Sequence, residues 1–213
     1  MVGSFRGSVQ DWLASSLQAD AYVRIDDPFY AAAGGNAEAL ADRFRALPEV
    51  AGVSRSVRER LATGGEDLRV WGVDYGDGPW GMVIVEGDRP DLREAFRAGA
   101  GVLATEPWSR RKGLGAGDRV EVPTPNGPVT LPILGVFRDY ASDRGGLAMH
   151  LSLFRQLLDE QRLDGLGLLA ATDVTPEQLR DAATTVVTAQ PGLVLALNAE
   201  VRSVSMDIFD RTF

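Results

Sequence analysis

The single histidine of this sequence, His150, is its most versatile candidate for catalysis. A Ser-His-Asp triad needs a histidine between a serine and a carboxylate, and only His150 is available for that position. No serine lies in the G-x-S-x-G pattern that marks the nucleophile of many hydrolases. Because Met149 and Leu151 flank His150 in an apolar segment, we interpret it as a structural residue near the end of a strand.

Carboxylates are the second group of candidates, since paired acids can perform acid–base chemistry or bind a hard cation. Asp139 and Asp143 lie in a polar segment beside Arg138 and Arg144. The spacing matches no calcium loop, and the alternating charges favour a solvated, ion-paired loop over a binding site. Two further acidic pairs have the positions of strand ends and turns: Asp26 with Asp27, and Asp74 with Asp77.

Metal and phosphate chemistry have little support in the sequence. The absence of cysteine excludes disulfides and thiolate ligands, and zinc sites need clustered histidine and cysteine. The glycine-rich run at 113–117 (GLGAG) lacks the lysine and the spacing of a phosphate loop, so a turn between a helix and a strand explains it better. We therefore expect no enzyme activity, no catalytic residues, no cofactor and no metal, with any ATP bound by another chain.

Composition narrows the functional class further. The formal net charge of −8 argues against general binding to nucleic acid, which requires a basic face. No window approaches the ~18–20 apolar residues of a membrane helix, and no signal peptide is apparent. A chain of 213 residues with 45% hydrophobic residues can bury the core of one domain or of two lobes.

The elements that must position these residues form two similar halves. Near the start, a helix over 4–17 and a strand over 21–26 precede a helix that begins at Asn36; strands are predicted over 51–60 and 67–75. Near the end, a strand over 166–171 precedes a capping box at 175–178, a helix and a strand over 193–197. The helices share an apolar spacing, at Leu40, Phe44 and Leu47 and at Leu179, Ala183 and Val186. This pattern predicts an α+β fold with a split ferredoxin-like lobe.

Residues 79–160 differ from both halves, because short strands and turns dominate them. We predict that they form a β-rich lobe inserted into a discontinuous α/β lobe of residues 1–78 and 161–213. The final segment, 199–213, is again helical and carries Val201, Val204, Ile208 and Phe209 on one side. Neither terminal helix has a stop signal at its outer end, so both are expected to continue beyond this sequence.

Residues 101–145 carry a series of short motifs. After a strand over 102–104 come Thr105-Glu106, Ser109-Arg110-Arg111, Gly113-Leu114, Gly117-Asp118 and Gly135-Val136. Their order and spacing resemble the MacB-type periplasmic core domain of FtsX-like ABC transporter permeases. The opening SFRGSVQDWL and the closing IFDRTF also resemble the sequence that this family has beside its membrane helices.

The resemblance implies a porter-like α/β lobe with a β-rich insertion, on the extracytoplasmic side of a bacterial cytoplasmic membrane. It implies that the flanking helices enter the same membrane, so the two termini are expected to lie side by side. It also implies that a separate ATP-binding subunit drives the movement of those helices. A second permease copy or paralogue and a periplasmic or extracellular protein are further expected partners. The domain would couple movement to transport, export or signalling, and the family supplies no catalytic residue to carry over.

A stand-alone periplasmic or cell-surface binding module is the main alternative, with the acidic loops as its binding surface. A small hydrolase would need a nucleophile and base pair that the sequence does not reveal. The transported cargo or regulated partner is not specified by any motif.

Overall fold

The computed structural model describes residues 2–26, 30, 36–63, 66–139 and 144–212. Its helices are α1 (Val2–Ser16), α2 (Ala37–Arg45), α3 (Leu92–Arg97), α4 (Glu106–Lys112), α5 (Leu151–Leu158), α6 (Pro176–Val187) and α7 (Asn198–Thr212). Its strands are β1 (Ala21–Ile25), β2 (Val50–Thr63), β3 (Glu66–Asp74), β4 (Val83–Glu86), β5 (Val102–Thr105), β6 (Arg119–Val122), β7 (Val129–Arg138), β8 (Leu147–His150), β9 (Gly165–Ala170) and β10 (Leu193–Leu197). Mixed α/β architecture with helical ends is thus confirmed.

The chain divides into two compact units. The first unit comprises residues 1–56, 75–81 and 162–213, and the second comprises residues 57–74 and 82–161. Within the described residues, none of the helices is long and apolar enough to cross a membrane.

The first unit contains an antiparallel sheet in the order β10-β1-β9-β2. β1 lies between β9 and β10, with Val23 opposite Leu166 on one side and Leu195 on the other. The halves β1-α2-β2 and β9-α6-β10 therefore interleave their strands, as a ferredoxin-like lobe requires. The predicted placement of the strands near 21–26 and 166–171 in one sheet is confirmed.

Local sequence signals explain the two helices of this unit. Asn36 caps α2 by accepting a hydrogen bond from the Ala39 N–H at 2.9 Å. Thr175 and Gln178 form a reciprocal capping box at the start of α6, with Pro176 in the first turn. Periodicity correctly predicts the buried residues Leu40 and Phe44 of α2 and Leu179, Ala183 and Val186 of α6. Leu47 is an exception, because α2 ends at Arg45 and Leu47 is only half-buried; Ala41 completes the buried face instead.

The second unit contains a mixed sheet in which β3, β8, β5, β7 and β4 follow one another, with β6 paired to β7. β5 lies between β8 and β7, and all four of its residues are buried. A strand buried on both faces is expected to be apolar throughout, which suits Val102, Leu103 and Ala104. Phe96, Trp108 and Phe154 contribute buried side chains from α3, α4 and α5.

Residues 57–74 belong to the second unit, although the sequence placed them in the first lobe. The reason is that β3 pairs in parallel with β8, from Val70 opposite Leu147 to Val73 opposite His150. Close packing reinforces the pairing, because a Cβ atom at Gly72 would lie only 2.7 Å from the Phe154 ring of α5. Parallel pairing between distant segments leaves no local pattern in the sequence, so periodicity did not indicate it.

Candidate functional site

The terminal helices α1 and α7 lie side by side in the first unit and run antiparallel. Near the start of α1, Arg6 donates from Nε and Nη2 to the two carboxylate oxygens of Asp210, with both distances 3.0 Å. This paired geometry raises the pKa of Arg6, through the hydrogen bond first and the charge of Asp210 second. The outer ends of the two helices are therefore neighbours, as predicted for chain ends that lie side by side.

The inner ends of the same helices are also joined. Asn198 Nδ2 donates to the Leu17 carbonyl at 2.9 Å and to the Ala19 carbonyl at 2.5 Å. Arg202 Nη2 donates to the Leu17 carbonyl at 3.1 Å. The last carbonyls of a helix have no partner inside the helix and carry partial negative charge, so an amide and a guanidinium are well suited to them. We call these contacts, together with the Arg6–Asp210 pair, the terminal bracket.

The bracket is anchored to the sheet of the first unit. The Asn198 N–H donates to the Asp20 carbonyl at 2.9 Å, and the Asp20 carboxylate accepts from the Ala170 N–H at 2.8 Å. At the start of α7, Glu200 accepts from the Leu197 N–H at 2.8 Å and from Arg180 of α6 at 2.6 Å. Arg180 is the main reason that the pKa of Glu200 is lowered.

The two helices differ in how they use their apolar residues. Val9 and Leu13, four positions apart on one face of α1, are buried. Val204 and Ile208 of α7 are instead 57% and 60% exposed. At 100° per residue, these two positions lie on the side of α7 roughly opposite Asn198, Arg202 and Asp210, so they face away from α1.

Removing the Asn198 side chain is expected to destabilise the first unit. The Asn198→Ala variant leaves the Leu17 and Ala19 carbonyls short of a partly buried donor, which costs about 1–2 kcal/mol. For a chain of this size, that loss lowers Tm by roughly 2–8 °C, measurable by thermal circular dichroism. Arg6→Ala is the matched control, because it removes only an exposed pair. An equal fall in Tm for the two variants would contradict the special role of the inner contacts.

Two tyrosines lie beside the inner end of the bracket. The Ala19 N–H donates to the Tyr22 hydroxyl oxygen at 3.1 Å. Tyr75 reaches solvent with part of its side chain, but its hydroxyl group is surrounded by protein. Burial is the main cause that raises the pKa of Tyr75 to about 12, and the charge interaction with nearby Tyr22 is the second cause.

The raised pKa predicts a loss of stability in alkali. The neutral phenol is favoured in the folded state, so its contribution is complete below the unfolded pKa of about 10 and declines as pH rises towards about 12. At most ~1.4 kcal/mol per pH unit is lost from this group. In urea unfolding at pH 9, 10 and 11, Tyr75→Phe should show a shallower decline than the wild-type protein. Parallel declines would contradict the assignment to Tyr75.

His150 has the structural role predicted for it, and it also has two polar neighbours. It is the N-cap of α5, where Nδ1 accepts from the Ser152 N–H at 3.3 Å and lies 2.8 Å from the Ser152 hydroxyl. Its Nε2 lies 3.6 Å from a carboxylate oxygen of Asp74. Sequence reasoning did not find this Ser-His-Asp group, because the pairing of β3 with β8 brings Asp74 to His150.

This group is better suited to capping than to catalysis. The backbone N–H of Ser152 shares the one Nδ1 lone pair that a general base would use. The 3.6 Å separation of Asp74 from Nε2 exceeds a hydrogen bond, so the carboxylate does not hold the ring for proton transfer.

Among the residues that the structure describes, the remaining acidic candidates do not converge on a metal site. Asp139 is buried directly after β7, whereas Asp143 and Asp27 lie outside the described residues. Asp77 is exposed in the turn that the Gly78 N–H closes onto the Tyr75 carbonyl at 3.0 Å. Asp26 follows β1, where its N–H donates to the Gly192 carbonyl. Among the described residues, no group of three His, Cys, Asp or Glu side chains is placed to hold a metal.

The glycine-rich run at 113–117 is a turn between α4 and β6, as predicted. Gly113 ends α4 in the left-handed conformation, with φ of 66°. The N–H groups of Gly115 and Ala116 already donate to the carboxylates of Asp118 and Glu86, each at 2.8 Å. Backbone amides that already donate to carboxylates are not available to a phosphate.

Other residues of the motif series also have structural roles. The buried Thr105 hydroxyl accepts from the Gly146 N–H at 2.8 Å. Glu106 pairs with Arg110 at 2.5 Å and lies 3.9 Å from Arg138. Arg111 donates to the Arg144 carbonyl. Thr105 and Arg111 thus connect the motif series to the segment that precedes β8.

Comparison with known proteins finds similarity to ABC transporters. No family model matches the chain. The chain is 29% identical over 220 aligned positions to an uncharacterized ABC transporter permease protein of Mycobacterium tuberculosis. That alignment covers the whole chain but only 26% of the relative, so the chain spans about a quarter of its length.

Two solved structures share the fold. The periplasmic region of MacB from Actinobacillus actinomycetemcomitans superposes with a TM-score of 0.60 at 10% identity, covering 90% of this chain and 94% of that one. The extracellular domain of the noncanonic ABC-type transporter YknZ from Gram-positive bacteria gives 0.54 at 11% identity, covering 84% and 98%. The resemblance noted in the sequence is therefore confirmed: the chain is similar along its whole length to part of an ABC transporter permease and has the fold of the MacB and YknZ extracytoplasmic regions.

Proposed function

We propose that this chain is the extracytoplasmic domain of an ABC transporter permease and that it couples ATP-driven movement of membrane helices to transport, export or extracytoplasmic signalling. The observation that carries the proposal is the antiparallel pairing of α1 with α7, which places both outer ends together. Two chain ends at one place can enter the same membrane. The periplasmic and extracellular regions that share the fold support this location.

The paired helices are suited to mechanical work. A helix transmits displacement along its axis, and the terminal bracket joins α1 and α7 near both ends. Asp20 and Glu200 connect the bracket to β9 and α6, so displacement of the helices reaches the sheet of the first unit. No reactive side chain is required for this work.

The exposed stripe of α7 supports a second permease copy as a partner. Val201, Val204 and Ile208 have the i, i+3, i+7 spacing of a helix–helix seam, and the last two are largely exposed. A second α7 would cover these side chains. The ATP-binding subunit must be a separate chain or segment, and a periplasmic or extracellular protein is a further candidate partner.

The division into lobes is part of the same proposal. We assign the porter-like lobe to the ferredoxin-like sheet of the first unit and the inserted β-rich lobe to the second unit. A stand-alone binding module has no observation in its favour, because the acidic loops form no shared site in the described residues.

Spin labels on α7 test the coupling role without knowledge of the cargo. The chain has no cysteine, so Ser203→Cys introduces one labelling site within it, on an exposed position of α7, once any cysteines elsewhere in the permease are replaced. In the full-length permease with its ATP-binding subunit, we expect the distance between labels on the two copies to change by several ångströms on ATP binding. The same distance with and without ATP would refute coupling through α7.

A further inference from the structure

The short segment Tyr75–Gly81 packs with the first unit, although both of its neighbours along the chain belong to the second unit. The chain enters the segment directly from β3, which ends at Asp74, and leaves it through Met82 into β4. A movement of this segment therefore acts on two strands of the second unit through covalent bonds.

Glycines bring the backbone of this segment against the first unit. A Cβ atom at Gly81 would lie 3.1 Å from the carbonyl oxygen of Ser16, the last residue of α1. A Cβ atom at Gly78 would lie 2.7 Å from a methyl carbon of Leu169 in β9. With no side chain between them, a shift of α1 or β9 must displace the segment itself.

Aromatic side chains anchor the same segment. Tyr75 directs its hydroxyl group into the protein near Tyr22 of β1, and its ring centroid lies 6.1 Å from that of Trp80. A Cβ atom at Gly81 would also lie 3.4 Å from a ring carbon of Tyr75. The segment is therefore held at its first residue by packing and at its last residue by the end of α1.

We propose that residues 75–81 are a relay that carries movement of the terminal bracket to β3 and β4. This inference rests on the proposed coupling function and names the segment of the chain that performs it. Asn198 and Arg202 donate to the Leu17 carbonyl, one residue beyond α1, and Gly81 lies against the carbonyl of Ser16, the last residue of that helix. A change in the bracket thus reaches the relay directly, and the relay is continuous with both strands.

Hydrogen exchange on the 213-residue chain tests the relay without ATP or cargo. Arg202→Ala removes one donor to the end of α1. We expect amide exchange in Val70–Val73 and Val83–Glu86 to become at least threefold faster. The matched control is Thr175→Ala, which removes the capping box of α6 in the same unit and is expected to leave exchange in both strands unchanged.

A second pair of variants identifies the path. Tyr75→Ala removes the anchor of the relay, so adding Arg202→Ala to it should produce no further acceleration in β3 or β4. The proposal is overturned if Arg202→Ala has no effect on these strands, if Thr175→Ala accelerates them equally, or if the effect of Arg202→Ala persists without Tyr75. Because these measurements need no nucleotide, they can support the relay even if the labels on α7 do not respond to ATP.

Discussion

Replacing Val204 and Ser205 with glycine in the full-length permease is expected to remove most of the ATP-driven displacement of the second unit. Two glycines cost about 2 kcal/mol of helix propensity and add compliance in the middle of α7. The substitution also removes the exposed Val204 side chain and the hydrogen bond from the Ser205 hydroxyl to the Val201 carbonyl. A compliant helix bends under load and no longer transmits displacement along its axis.

The displacement is measured as the distance between spin labels on the two permease copies, each attached at Asn126→Cys. Asn126 is exposed in the turn between β6 and β7. We expect the ATP-dependent distance change to fall by more than half in the glycine variant. His150→Asn is the matched control, because asparagine retains an N-cap acceptor for the Ser152 N–H. A larger loss in the His150 variant would mean that the Ser152–His150–Asp74 group has a chemical function, and the mechanical account would then be wrong.

The largest effect on folding is expected for Gly146→Ala in the second unit. A Cβ atom at Gly146 would overlap the backbone carbonyl of Arg69 in β3. That carbonyl cannot move away without disturbing the pairing of β3 with β8. The Gly146 N–H also donates a hydrogen bond to the buried Thr105 hydroxyl. We expect a loss of about 3 kcal/mol in the free energy of unfolding, measured in urea.

Gly113→Ala separates steric overlap from backbone strain in that experiment. Gly113 has a φ of 66° with open space around its Cβ position, so alanine there costs only about 1 kcal/mol. Similar losses for the two variants would show that Gly146 is not closely packed against Arg69.

Features determined by neighbouring residues were predictable from the sequence. The Asn36 cap, the Thr175 capping box and the spacing of Leu179, Ala183 and Val186 each depend on a few consecutive residues, and the structure confirms them. The similar halves around these helices were enough to predict the interleaved sheet of the first unit.

Features that depend on distant residues were not predictable in this way. Asn198 and Leu17 are separated by 181 positions, and no periodicity relates an amide side chain to a particular carbonyl so far away. The parallel pairing of β3 with β8, which places residues 57–74 in the second unit, has the same origin. The sequence placed Val204 and Ile208 on one side of a helix but did not show that this side faces away from α1.

A covalent link across the outer end of the terminal bracket tests the central claim, that α1 and α7 move as one body. Arg6→Cys and Asp210→Cys place the only two cysteines of this chain where the ion pair stands, and a short bis-maleimide can join them. In the full-length permease labelled on the second unit through an unnatural amino acid at position 126, we predict that the linked protein keeps the ATP-driven distance change. Loss of that change on linking, with recovery when a cleavable linker is cut, would show that the two helices must slide past each other and would contradict the account.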